Sequence, residues 1–277
     1  MLHINNTLGS SFYMSQHKES SSTRNLSAMK LLDILEFFTE QNNKPLRLQD
    51  IAQGLSMNSS TVLRFLSSLV EYGYVQQNPE TLRYRLTMRI CALASKVSAS
   101  VNLTEVAQPF MRRVRDVFHE SVCLGILQSN HVVYIDVLSG PDNILRSTQR
   151  IGNNAPVHCT GIGKVLLLNY NDAEIGNILD REGMRVFTKN TLSTPEQLLA
   201  EIGTVRQQGY AFDNEECEEG VRCVAVPIRD YTQKVIAGLS VTGTIFRLTP
   251  GRIELLLPFL MEQADSFSKE LGYKETP

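Results

Sequence analysis

Residues Leu48–Leu69 read LQDIAQGLSMNSSTVLRFLSSL and leave the chain few choices. Two apolar periodicities of helical spacing, Leu48–Leu55 and Ser59–Tyr72, are separated by only Ser56-Met57-Asn58. Two helices joined so tightly must cross at a fixed angle, with a small residue where they touch and apolar residues pinning both. Ala52 is the small residue, and Ile51, Leu55, Met57, Val62 and Phe65 are spaced to form the shared core. The opposite face of the second helix is short and polar: Ser59, Ser60, Thr61, Arg64, Ser67 and Ser68. A helix with such a face fits the major groove of DNA, and Arg64 is its strongest donor to a base or phosphate.

The flanks agree with a helix-turn-helix. A preceding helix starts near Ser27, a capping residue type, and lines up Leu31, Leu32, Ile34, Leu35 and Phe38. Asn42-Asn43-Lys44-Pro45 ends it. After Gly73 come two strand-like pieces, Tyr74–Gln77 and Arg83–Thr87, around the turn cluster Asn78–Leu82. Arg83 and Arg85 alternate, so both point to one side of a wing able to hold phosphates. A further helix, Met88–Ser100, has an apolar side (Ile90, Leu93, Ala94, Val97) that needs a partner, a second copy of the chain being the natural one. Charge divides along the same line. Residues 24–101 hold nine Lys and Arg against six Asp and Glu, whereas residues 102–277 hold 17 against 22. A basic front and an acidic back point to two partners of different kinds.

Beyond residue 102 the pattern changes. A helix Thr104–Glu120 precedes SVCLGILQ and HVVYIDVL, strands paired around Ser129-Asn130, and a third strand is expected over Ile144–Arg150. Helices follow at Gly161–Asn169, Asp172–Arg181 and Pro195–Gln208. Then come strands Cys223–Ile228 and Val235–Val241, led in by Tyr210–Phe212, and a last helix Pro250–Leu271. The fold class expected is α+β. Residues 1–24 form a disordered tail, 25–87 a winged helix-turn-helix, 88–101 a linker helix and 102–277 a separate domain with its own sheet. No apolar run approaches the length of a membrane span, no secretory leader opens the sequence, and five cysteines are not a disulfide framework; a reducing cytoplasm is expected.

Leu26–Val97, PVHCTGIGKVLLL (Pro156–Leu168) and GYAFDNEECEEGVRCVAVPI (Gly209–Ile228) together resemble the IclR family of bacterial transcription regulators. The resemblance extends over residues 25–273, with regulators of sugar-acid catabolism as the nearest branch. It implies a repressor of a catabolic operon, bound to double-stranded operator DNA as a dimer or dimer of dimers, with no cofactor. It also implies a GAF-like α/β effector-binding domain that takes a small hydroxy or keto acid at Gly161, Ile162, Asp213, Cys223 and Ser240. One departure is Ser59, where many members begin the recognition helix with a basic residue.

The residues themselves say less. TGIGK is not a phosphate loop, because His158 stands where Gly is required and Val165 where Ser or Thr is required. It suits a helix start capped by Thr160, with amides of Gly161, Ile162 and Gly163 facing an anion; glycines that merely pack helix on sheet would read the same. Asp213–Glu219 would ordinarily be a solvated acidic loop. His158, Cys159, Cys217 and Cys223 are ligand or nucleophile types, but not at the spacing of a known zinc module. An enzyme using Cys/His chemistry under a regulatory winged helix, and a ligand-free architectural DNA-binding protein, are the alternatives.

Overall fold

The computed structural model describes residues 25–140 and 150–275. The expected tail and nearly all of the expected strand Ile144–Arg150 lie outside the described residues; Arg150 itself is not in a strand. The chain forms two compact units that divide between Val101 and Asn102.

In the first unit, α1 (Leu26–Glu40), α2 (Leu48–Gly54) and α3 (Ser59–Glu71) precede a hairpin of β1 (Val75–Gln77) and β2 (Tyr84–Leu86), then α4 (Arg89–Ser100). Ile34, Phe38, Ile51, Ala52, Val62, Phe65, Leu66, Leu69, Val75 and Tyr84 form one core. The strands pair antiparallel with Gln76 opposite Arg85, and a bridge from Leu46 to Tyr84 ties the hairpin to the helices. Two expectations fail in α1. Its cap is Asn25, whose Oδ1 accepts from the amides of Ser27 and Ala28, so Ser27 lies inside the first turn. Leu32 is exposed, because Ile34 and Phe38 set the buried stripe and Leu32 turns away from it.

The second unit is built on a six-stranded sheet whose strands all pair antiparallel: β5 (Asn154–Ala155), β4 (His131–Leu138), β3 (Ser121–Gln128), β8 (Val235–Thr244), β7 (Val221–Arg229) and β6 (Ala211–Asn214), in that order. The β3–β4 turn has Ser129 and Asn130 at φ 49° and 64°, the left-handed pair a two-residue hairpin requires. Strand alternation gives each face its own layer. Val122, Leu124, Val224, Val226, Leu239 and Val241 face α5 (Leu103–Phe118) and α9 (Pro250–Glu270). Cys123 and Ala225 face α6 (Gly161–Leu166), α7 (Asp172–Glu182) and α8 (Pro195–Gln208). A single 3-10 turn, Leu167–Asn169, extends α6. Helix α5 ends at Phe118, short of Glu120, since His119 takes the left-handed conformation and caps it.

Helix α6 lies directly on bare backbone. A Cβ added at Gly238 would stand 2.9 Å from Ile162 and from Val165, and one at Gly125 would stand 3.0 Å from Ile162. These glycines set how close the helix comes to the sheet, and so where its first turn sits.

Candidate functional site

In the first unit, Ser59, Ser60, Arg64, Ser67 and Ser68 share an exposed face of α3, while Thr61 is half-buried at its edge. Leu63 is exposed among them, so the face is less polar than the sequence pattern implied. The hydroxyls of Ser67 and Ser68 donate to the carbonyls of Leu63 and Arg64 on their own helix. The exposed Arg64 holds its guanidinium over the Phe65 ring, 5.3 Å from the centroid. At the start of α3, Asn58 makes no side-chain cap, and the amide of Thr61 bonds the Asn58 carbonyl. The amides of Ser59 and Ser60 are thus left pointing off the helix end, a ready phosphate contact. Arg83 and Arg85 line one hollow beside the wing, on the same side of it. Arg83 also donates to the Pro45 carbonyl at 3.0 Å, which clamps the wing to the α1–α2 connection.

The second unit contains a cavity of about 300 Å³ above the first turn of α6. Gly161 and Ile162 line it with Thr160, Asp213 and Cys223, and the sheet contributes Tyr134 and Thr242. Thr160 caps α6 as expected, but its Oγ1 accepts from the Gly163 amide, so that amide is not free for a ligand. The amides of Gly161 and Ile162 have no partner among the described residues and end the helix toward the cavity. Both glycines also pack closely. A Cβ at Gly161 would meet Ala225 at 3.1 Å and Cys223 Sγ at 3.3 Å, and one at Gly163 would strike the Val157 carbonyl at 2.3 Å.

Asp213 is buried at the end of β6, and its Oδ1 accepts from the amides of Glu216 (2.8 Å) and Cys217 (3.4 Å). Burial pushes its carboxyl up to about 7; the amide of Glu216 opposes that rise, the Glu216 carboxylate adds to it, and the Lys164 ammonium opposes it. The acidic loop is therefore not simply solvated. Glu216 is buried as well, and Lys164, 1% exposed, donates to Glu216 Oε1 at 2.6 Å, to the Phe212 carbonyl at 2.8 Å and to Glu201 Oε1 at 3.2 Å. Thr188 and Thr191 hold the carbonyls of Glu215 and Glu216 from the other side. One lysine faces two carboxylates directly, so the group carries excess negative charge, and burial likewise raises the carboxyl of Glu216.

The remaining expected residues divide. Cys223 is a buried wall whose thiol desolvation pushes up to about 12, which keeps it protonated and a poor nucleophile. Ser240 does not line the cavity. It lies below the floor, with the thiols of Cys123 and Cys223 beside its oxygen, while Thr242, two residues on along the same face of β8, reaches the cavity. His158 is turned away, bonding the Arg185 carbonyl at 3.0 Å, and burial lowers its pKa. Tyr134 and Thr242 carry no signal in the sequence reading, and Lys164 enters it only as part of TGIGK. Only the spacing Ser240–Thr242, two residues on one strand, could have flagged Thr242.

The IclR helix-turn-helix domain matches residues 27–79, and the C-terminal domain of IclR bacterial transcriptional regulators matches residues 95–269. The HTH-type transcriptional regulator KdgR of Dickeya chrysanthemi is 36% identical over 251 residues, 91% of this chain and 81% of that one. Among solved structures, the C-terminal domain of Escherichia coli KdgR is 35% identical with a TM-score of 0.57, covering 62% of this chain and 100% of that one. Thermotoga maritima IclR is 29% identical with a TM-score of 0.59, covering 89% and 99%. The chain belongs to the IclR family of bacterial transcriptional regulators, and its likeness to KdgR fits the branch read from its sequence.

Proposed function

We propose that this regulator represses a catabolic operon by binding a palindromic operator through two copies of its winged helix-turn-helix, and that a small hydroxy or keto acid in the cavity of the second unit controls that binding. The observation that carries the reading is the cavity, where helix-end amides and a carboxyl group face one another across a space suited to a small polar acid. The ligand's carboxylate meets the amides of Gly161 and Ile162. Asp213 and Thr242 meet its hydroxyl or keto end, and Cys223 is a wall. Protonated thiols and a committed His158 support binding over catalysis. Exposed Leu93 and Val97 on α4 suit pairing with a second copy. Among the described residues no helix is long and apolar enough to cross a membrane; the DNA-binding role supports a cytoplasmic location.

Two measurements test this. DNA recovered from a random pool by the intact protein should contain an inverted repeat. Arg64→Ala should weaken binding to it by ~1–3 kcal/mol and relax base preference, whereas Arg83→Ala with Arg85→Ala should weaken all sequences alike and flatten the salt dependence. Unchanged affinity in both variants would refute the winged-helix reading. In a thermal-shift screen of hydroxy and keto acids of two to six carbons, at least one should raise Tm, by RT ln(1 + [L]/Kd) in stability, and Thr242→Val should abolish the rise. Gly161 is unsuitable for this test, since its substitution disturbs packing on Ala225 as well as the cavity. A flat screen would leave the cavity without its acid.

A further inference from the structure

Tyr134 lines the cavity from β4, is 6% exposed, and its hydroxyl has no hydrogen-bond partner among the described residues. Buried polar atoms with neither a partner nor open space beside them belong there to Glu216, Ser240 and Gln263. The Tyr134 hydroxyl is not one of these, and with the residue so buried, the open space it meets is the cavity. The sheet is built to aim it. Leu124 pairs with Asp136 but Gly125 pairs with Tyr134, so Ile135 is an extra residue in β4. Without that bulge Tyr134 and Asp136, two apart, would share a face. With it, Asp136 turns to the α5 side and accepts from Gln108 Nε2 at 2.5 Å, while Tyr134 turns with Val132 to the α6 side. No side chain opposes Tyr134 across the β3–β4 pair, because its partner there is Gly125. In the sheet, β3, β8 and β7 separate β4 from β6. Tyr134 and Asp213 therefore reach the cavity from opposite flanks, with Thr242 and Cys223 between them.

We propose that Tyr134 is a specificity-determining residue of this cavity, its hydroxyl hydrogen-bonding an oxygen on the ligand's carbon chain beyond the carboxylate. The inference rests on the reading of the cavity as an acid site, and it adds the class of acid. With the carboxylate on the amides of Gly161 and Ile162, Asp213 meets one flank of the ligand and Tyr134 the other. An acid with one oxygen beyond its carboxylate satisfies one flank and leaves the other unpaired. An acid hydroxylated on several carbons satisfies both. A site made to bond a hydroxyl rejects the analogue that lacks it, because the buried partner is then left without a bond. Burial also raises the phenol well above its ordinary range, so it stays neutral and can either donate to a ligand oxygen or accept from a ligand hydroxyl.

The test compares the full-length protein with Tyr134→Phe, which removes only the hydroxyl, by calorimetric titration with matched acids. Gluconate is paired with 2-hydroxyhexanoate and threonate with 2-hydroxybutanoate, so that the members of a pair differ only in hydroxyls beyond carbon 2. The parent should prefer the more hydroxylated member of at least one pair by about tenfold or more in Kd. Tyr134→Phe should cut that preference by about tenfold and leave Kd for the less hydroxylated member within about threefold of the parent's. The Tm of the unliganded variant should stay with the parent's, since no hydrogen bond within the protein is lost, which separates recognition from folding. An unchanged preference in Tyr134→Phe, or an equal loss for both members of a pair, would overturn the proposal and leave the acid site standing. A parent that binds none of the four acids would overturn it too; the acid site itself falls only if the wider screen of hydroxy and keto acids is also flat.

Discussion

Lys164→Met should cost the second unit about 3–5 kcal/mol, the penalty for leaving a buried charge without its partner. The ammonium is 1% exposed and gives three hydrogen bonds, to Glu216, Glu201 and the Phe212 carbonyl. Methionine fills similar volume, so the loss comes from electrostatics and unmet acceptors rather than from a cavity. Glu216 suffers most, because its second oxygen already has no partner among the described residues. Adding Glu216→Gln to Lys164→Met should recover part of the loss, since a neutral amide no longer needs a counter-charge. Urea unfolding of the full chain, followed by circular dichroism, reads both. A change under about 1 kcal/mol for Lys164→Met would show that the cluster is not held by its lysine.

The second large effect is a pH dependence centred on Asp213. Its carboxyl titrates near 7 in the folded chain against an ordinary value of 3.8, so the folded state holds the proton over a range where the unfolded state has lost it. The stability from that retained proton is fully present below about pH 4 and is lost as pH rises through 7. With a shift of roughly three units the difference reaches about 4 kcal/mol, an order-of-magnitude figure. Glu216 is shifted in the same direction and adds to it. Asp213→Asn keeps an oxygen for the amides of Glu216 and Cys217 but removes the titration. It should be more stable than the parent at pH 8 and nearly level with it at pH 4. A parent and variant that lose stability in parallel across that range would contradict the assignment. The same proton bears on the ligand. An acid whose hydroxyl meets ionised Asp213 should bind more tightly above pH 7, and one whose carboxylate meets Asp213 more tightly below.

Secondary structure was largely legible in the sequence because its elements are local. Ser59–Glu71 and Pro195–Gln208 carry their periodicity and terminators within themselves, and Ser129-Asn130 announces its own hairpin. Strand β5 escaped notice because two residues have no period, and it exists only through its pairing with Val132 and Val133. The cap of α1 was misassigned because Asn25 and Ser27 are both capping types, and only geometry distinguishes them. The candidate site was less legible. Resemblance to the family pointed to Asp213, Gly161 and Cys223, which the fold brings to one cavity, and to Ser240, which it leaves beneath the floor. Lys164 looked like part of a failed phosphate loop. Nothing near it in sequence foretells Glu201 and Glu216, which lie 37 and 52 residues away.

The seating of α6 on Gly125 and Gly238 bears on how the molecule can respond to a ligand. Most helices rest on a layer of side chains that can change rotamer and absorb a small push, like a bearing with some play. Here the Ile162 and Val165 side chains touch main chain, so that slack is absent at this point of the interface. The first turn of α6 is seated against β3 and β8, and the opposite face of those strands carries the α5–α9 layer. A ligand resting on the Gly161 and Ile162 amides would therefore press on a helix turn with little room to settle toward the sheet.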